Sequence, residues 1–206
     1  MPVGAVPTKG NLIAYKKSLT LARTGYELLD KKRNILVREM MTLIDKASQI
    51  QDKIDTTYSK AYLALQKANI SMGFIDDIAR SVPEENSLKL SYRSVMGVEI
   101  PIVTINEEPP QLYYGLQMTT PALDEAYSCF SEVKRLTADL AEVENSVYRL
   151  ADSIKKTQKR ANALKNIMIP RFEQGVKFIS DALEEKEREE FSRMKVIKAQ
   201  KSNKKS

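Results

Sequence analysis

Side chains able to carry out chemistry are few in this 206-residue sequence, and their spacing gives them little to act with. Adjacent carboxylates stand at Asp76-Asp77 and Glu107-Glu108, and a carboxylate pair is common equipment for general acid–base work. Neighbouring acids on an exposed turn usually face solvent, however, so no catalytic role is expected of them. Histidine is absent, which removes a Ser-His or Cys-His nucleophile pair, a histidine general base and any zinc site needing imidazole. The only cysteine, Cys129, cannot form an internal disulfide, which fits a reducing cytosol; it lies on an apolar helical stripe and reads as a buried structural thiol. The seven glycines, at positions 4, 10, 25, 73, 97, 115 and 175, form neither GxGxxG nor GxxxxGKS/T, so no phosphate-cradling loop is expected. No catalytic residue, no cofactor and no metal site is expected of this chain.

Charge is concentrated at one end. Arg193, Lys195, Lys198, Lys201, Lys204 and Lys205 stand without an acid among them, and they equal the net charge of +6, leaving residues 1–192 neutral overall. Such a tail could hold nucleic acid or an acidic membrane surface. The plainer reading is a neutral body with a frayed, solvated end, and no nucleic-acid partner is expected. Glu184–Glu190 mixes both signs at helical spacing and reads as a solvated face stabilised by i,i+4 pairs. No apolar run approaches the roughly 20 residues that span a bilayer. The opening MPVGAVPTKGN has no cationic segment followed by an apolar one. The expectation is a cytoplasmic protein without direct membrane insertion.

The elements that must position these residues follow from proline placement. The eight prolines are at 2, 7, 83, 101, 109, 110, 121 and 170. Interior proline costs a helix about 3 kcal/mol, so the proline-free stretch between Thr8 and Val82, and the stretch from Ala122 to Ser206 that only Pro170 interrupts, predict long helices. Stepping alternately by three and four from Leu12 gives a seam through Tyr15, Leu19, Ala22, Tyr26 and Leu29 and on to Ile78. Only Arg33, Thr57 and Ser71 interrupt its apolar series. A repeat of 3.5 residues held this long predicts a left-handed coiled coil, with residues 12–78 extending about 100 Å. Arg33 within the seam either snorkels, sets the register or touches a partner.

Thr120, Pro121, Asp124 and Glu125 together read as a helix start. The second seam runs from Ala122 through Cys129, Val133, Leu140, Leu150 and Ala161 to Met168. It then slips to Phe172, Val176, Ile179 and Leu183, a stutter beside Pro170 that predicts a kink or bulge. Between the helices, Leu88–Tyr92 and Val98–Ile102 alternate apolar and polar around Met96-Gly97, which predicts a β-hairpin with Pro101 at an edge or irregular position. Glu107–Pro110 and Gly115 read as loop. The fold class expected is all-α: a long antiparallel two-helix left-handed coiled coil with a small β-hairpin insert between the helices. The expected divisions are an N-terminal extension over 1–8, a first long helix over 9–80, the insert over 81–120, a second long helix over 121–197 and a disordered basic tail over 198–206. If the chain turns back near Ile78 and Ala122, Gly25 meets Gly175 and Pro170 lies beside Asp30. The hairpin is expected to project as a contact element rather than belong to the core.

Three segments together resemble a known family. They are PTKGNLIAYKKSLTLARTGYELLDKKRNILVREM (Pro7–Met40), SVMGVEIP (Ser94–Pro101) and RANALKNIMIPRFEQGVKFISDALEEKERE (Arg160–Glu189). These are similar to the opening, the MGVxxP hairpin and the closing RxNALxxxxIP segment of the D subunit of V-type and A-type ATPases, in the same order. The closing segment is the most specific; residues 41–80 and 122–159 match mainly in helical pattern. The resemblance implies a rotor shaft inside a hexameric head of catalytic A and B subunits, with a smaller F subunit bound to it. A further stalk component would link its far end to the membrane ring, and ATP chemistry would belong to the head. Candidate contact residues are Met96, Gly97 and Val98 at the hairpin, Arg33 in the seam, and Arg160 and Arg171 in the closing segment. The rival readings are a scaffold coiled coil and a binder of nucleic acid or membrane surfaces through the tail.

Overall fold

The computed structural model describes residues 6–84, 86–105, 113–115 and 119–203. The elements are α1 (Lys9–Met72), α2 (Asp76–Ser81), β1 (Lys89–Val95), β2 (Val98–Thr104), α3 (Pro121–Ala163), a π-helical turn (Leu164–Met168) and α4 (Ile169–Asn203). The fold is the expected all-α coiled coil with a small antiparallel hairpin. Every seam position of α1 from Leu12 to Ala68 is buried or half-buried, including Arg33 and Thr57, and so is every seam position from Ala122 to Met168. Alternating steps of three and four therefore marked the buried stripes correctly, since such positions stay on one helical face. Thr8 caps α1, its Oγ1 accepting from the Asn11 N–H at 3.2 Å and its carbonyl from the Leu12 N–H. Leu123 N–H donates to the Thr120 carbonyl where α3 begins at Pro121.

The first helix ends earlier than residue 80. Gly73 takes φ +82° and donates its N–H to the Asn69 carbonyl at 2.9 Å, closing α1 after Met72 in a left-handed cap. The short α2 follows. At the other end, helix continues past residue 197 through Asn203. Lys204 and Lys205, like Glu107–Pro110, lie outside the described residues.

The chain divides into two compact units. One comprises residues 1–33 and 155–206, the other residues 34–154. In the first, α1 meets the second helical stretch antiparallel. Lys9 Nζ lies 3.0 Å from Glu187 Oε1, Arg23 Nη2 2.6 Å from Glu173 Oε1, and Arg33 Nη1 2.8 Å from Gln158 Oε1. Gly25 does not meet Gly175. A Cβ on Gly25 would lie 3.7 Å from Leu164 Cδ1, whereas one on Gly175 would lie 2.6 Å from Tyr15 Cε1. The register differs from expectation by about three helical turns. The stop at Gly73, in place of a turn near Ile78, shifts the pairing in this direction but by fewer residues. The stutter is taken up by the π-helical turn, where Ile169 N–H reaches five residues back to the Leu164 carbonyl. The wider turn accommodates steps of four immediately before Pro170, which has no N–H to offer.

In the second unit, Ile50, Ile54 and Val143 form one cluster, with Leu43, Ala47, Leu136, Leu140 and Val147 around it. Leu36, Leu150 and Ile100 form another. Ile100 belongs to the hairpin and is 1% exposed, and Pro101 beside it is buried. The hairpin therefore does not project from the helices but shares their core. Burying one such side chain contributes roughly 1.5–3 kcal/mol, and a two-stranded sheet needs such support to persist in water.

Candidate functional site

Among the described residues, no group of three His, Cys, Asp or Glu side chains is placed to hold a metal ion. Asp76 and Asp77 sit exposed in the first turn of α2, where carboxylates complement the helix dipole. Cys129 is half-buried on its seam. Tyr114 donates to Asp124 Oδ1 at 2.7 Å and packs edge-on against Tyr127. Burial first, then the hydrogen bond and negative charge of Asp124, push its hydroxyl up from 10.0 to about 12.

The hairpin is the most elaborate local structure. Met96 and Gly97 both take positive φ, 50° and 75°, which makes a two-residue turn of the type whose twist matches the strands. Val95 pairs with Val98, Arg93 with Ile100, and Ser91 with Ile102, the hydrogen-bonded positions of the ladder. Tyr92 pairs with Pro101 between them, so Pro101 needs no N–H toward β1. The outer edge of β2 is closed by α3. Val103 N–H donates to Glu142 Oε2 at 2.6 Å, and the Glu99 carbonyl accepts from Arg149 Nη1 at 3.1 Å. Arg149 also stacks 5.4 Å from the Tyr92 ring centroid. On the inner face, Arg93 reaches Glu39 at 3.4 Å. A groove of about 300 Å³ runs between Leu90, Tyr92 and Val103 of the hairpin and Ala138, Ala141 and Asn145 of α3.

The residues singled out from the sequence are not gathered at one place. Met96 is exposed at the hairpin tip, and Val98 packs against the Leu36–Leu150 cluster. Arg33 belongs to the other compact unit, half-buried and bonded to Asp30 at 2.7 Å as well as to Gln158. Gln158 in turn donates to Asn162 Oδ1. Arg160 and Arg171 are exposed in that unit. A further apolar row lies outside both seams. Ile13, Leu21 and Leu28 lie off the α1 seam and remain exposed, between 61% and 68%. The seven-residue step from Leu21 to Leu28 is the signal that marks a second apolar flank. Phe191, Met194 and Ile197 are likewise exposed on α4.

A filled seam, open apolar flanks and a docked hairpin define an antiparallel helical coiled coil that leaves apolar surface exposed. The family model for the ATP synthase D subunit matches residues 11–199. The chain is 43% identical over 198 residues to the V-type ATP synthase D subunit of Thermotoga neapolitana, covering 95% of this chain and 98% of that protein. It is 37% identical to the A-type ATP synthase D subunit of Thermococcus kodakarensis, over 94% of this chain and 92% of the relative. The corresponding protein of Methanobrevibacter smithii is 36% identical over 201 residues, with 95% and 87% covered. The chain belongs to the family of ATP synthase D subunits. Among the described residues, no helix is long and apolar enough to cross a membrane.

Proposed function

We propose that this chain is the central-rotor shaft of a V/A-type ATPase, carrying torque between the catalytic head and the membrane ion-translocating ring. The observation that carries the reading is the open apolar row Ile13, Leu21 and Leu28, on a helix whose seam is already filled. Apolar surface left over after the helix pair is complete is suited to a surrounding sleeve of other subunits. In this reading the sleeve is the head formed by the A and B subunits, which performs the ATP chemistry. The F subunit binds the shaft, and a further stalk component joins it to the ring. The chain contributes no reacting group. Its asymmetric surface meets three catalytic sites differently and biases their conformations by differential contacts. It works at the cytoplasmic periphery of the membrane.

Rotation tests this directly. With Cys129→Ala, a probe attached through Tyr148→Cys, an exposed position, is followed in a complex whose head is fixed to a surface. Stepwise rotation on adding ATP is expected. A stationary probe on a complex that hydrolyses ATP would sink the reading.

A further inference from the structure

We propose that the outer edge of β1 is a docking site for an extended segment of a partner chain, which adds to the hairpin as a third strand. This rests on the reading above only in that the partner is a member of the same assembly.

The two edges of the hairpin differ. On β2 the outward positions are Glu99, Pro101 and Val103, and at each one main-chain group is met or missing. Arg149 donates to the first carbonyl, proline has no N–H at the second, and Glu142 accepts from the third N–H. On β1 the outward positions are Leu90, Tyr92 and Ser94, which pair with Val103, Pro101 and Glu99 without ladder bonds. Their N–H and C=O groups point away from β2, and among the described residues nothing meets them. β1 runs seven residues with no proline or bulge and is exposed at all but its last position. An open, regular, partly apolar edge is a template for another strand, and proteins usually blunt such edges. Here only one of the two is blunted.

The chemistry of the edge specifies its occupant. Alternating main-chain donors and acceptors at strand spacing are matched by an extended backbone and not by a helix, whose own groups are already bonded. Leu90 and Tyr92 share one face and are 59% and 57% exposed, so cross-strand neighbours there are apolar. Lys89 and Arg93 share the other face, and among the described residues only Arg93 has an acidic partner, Glu39. The added strand therefore alternates apolar residues with Asp or Glu.

Hydrogen exchange on the full chain, alone and in the assembled ATPase, reads the edge. The amides of Leu90, Tyr92 and Ser94 are expected to slow by at least about tenfold on assembly. Ser94→Pro removes one outward donor and leaves the ladder whole, as Pro101 does on β2. It is expected to weaken retention of the chain in the complex by about tenfold. Ser94→Ala, which keeps the N–H, is expected to leave retention unchanged. Unslowed amides in an assembled complex active in ATP hydrolysis would overturn the docking site and leave the shaft reading intact. Failure of the wild-type chain to enter the complex would count against the shaft reading instead. Protection that appears in the chain alone and grows with its concentration would assign the edge to a second copy, and the proposal would fall.

Discussion

The Tyr15 ring lies over Gly175, with Cε1 2.6 Å and Cδ1 2.7 Å from the point a Cβ at position 175 would occupy. The ring also meets Phe172 edge-on, with centroids 6.0 Å apart. Glycine leaves room there for the aromatic ring to pack directly on the helix backbone. Gly25, in the same unit, has ordinary space, its nearest neighbour being 3.7 Å from a built Cβ.

Alanine at these two glycines is expected to act with opposite sign. Gly25→Ala should raise stability by roughly 0.5–1 kcal/mol through helix propensity. Gly175→Ala gains about as much locally but displaces the Tyr15 ring, at a typical overpacking cost of about 1–3 kcal/mol. Thermal melts followed by circular dichroism would separate them. Two stabilised variants would show that the ring moves aside freely.

Ile100→Ala should cost about 2–5 kcal/mol, the range for emptying a filled core site. Helicity at low temperature is expected to persist, because the seam of α1 and α3 does not depend on the hairpin. A melting temperature equal to that of the parent chain would mean that the hairpin does not belong to the core.

Arg33 and Gln158 should couple. Arg33 stands in the seam and Gln158 beside it, and their bond joins α1 to α3. A double-mutant cycle of Arg33→Ala and Gln158→Ala is expected to give about 0.5–1.5 kcal/mol, reduced by the partial exposure of Arg33. A coupling of zero would remove the pair as a register determinant.

Tyr114 gives an alkaline signature. A hydroxyl pushed up to about 12 holds its proton in the folded chain while the unfolded chain loses it near 10. The stability linked to Tyr114 is therefore whole below pH 10 and fades between pH 10 and 12. Phenolate absorbance should show a component that ionises later in the folded chain than in the unfolded one and is lost in Tyr114→Phe. Asp124→Asn should bring it part of the way back, since burial remains. A Tyr114 hydroxyl that ionises at the same pH in the folded and the unfolded chain would contradict the Tyr114–Asp124 contact.

Periodicity made the seams legible from Leu12 to Ala68 and from Ala122 to Met168, because a 3.5-residue repeat is a local property of one helix. The Met96-Gly97 turn was legible for the same reason. Pairing between helices was not, since it hangs on where the chain turns. Gly73 looks like any helical glycine until its positive φ is seen. The docking of Ile100 was hidden because VEIPI alternates as an exposed strand would. Nothing in the spacing of Glu142 and Arg149 along α3 points to the hairpin, and only the fold brings them to the edge of β2.

The π-helical turn at Leu164–Met168 carries one residue more than an α-helical path needs. That surplus is a slack in chain length. Deleting exposed Asn166 would tighten the turn to an ordinary α-helical one, and Gly175 and Ile179 would still face α1. Deleting a residue elsewhere in α4 would swing all that follows by about 100° around the helix axis. Circular-dichroism melts of the two deletions should differ accordingly, the first keeping most of the parent stability. The second helical stretch thus has one place where its length can change without turning its apolar side outward.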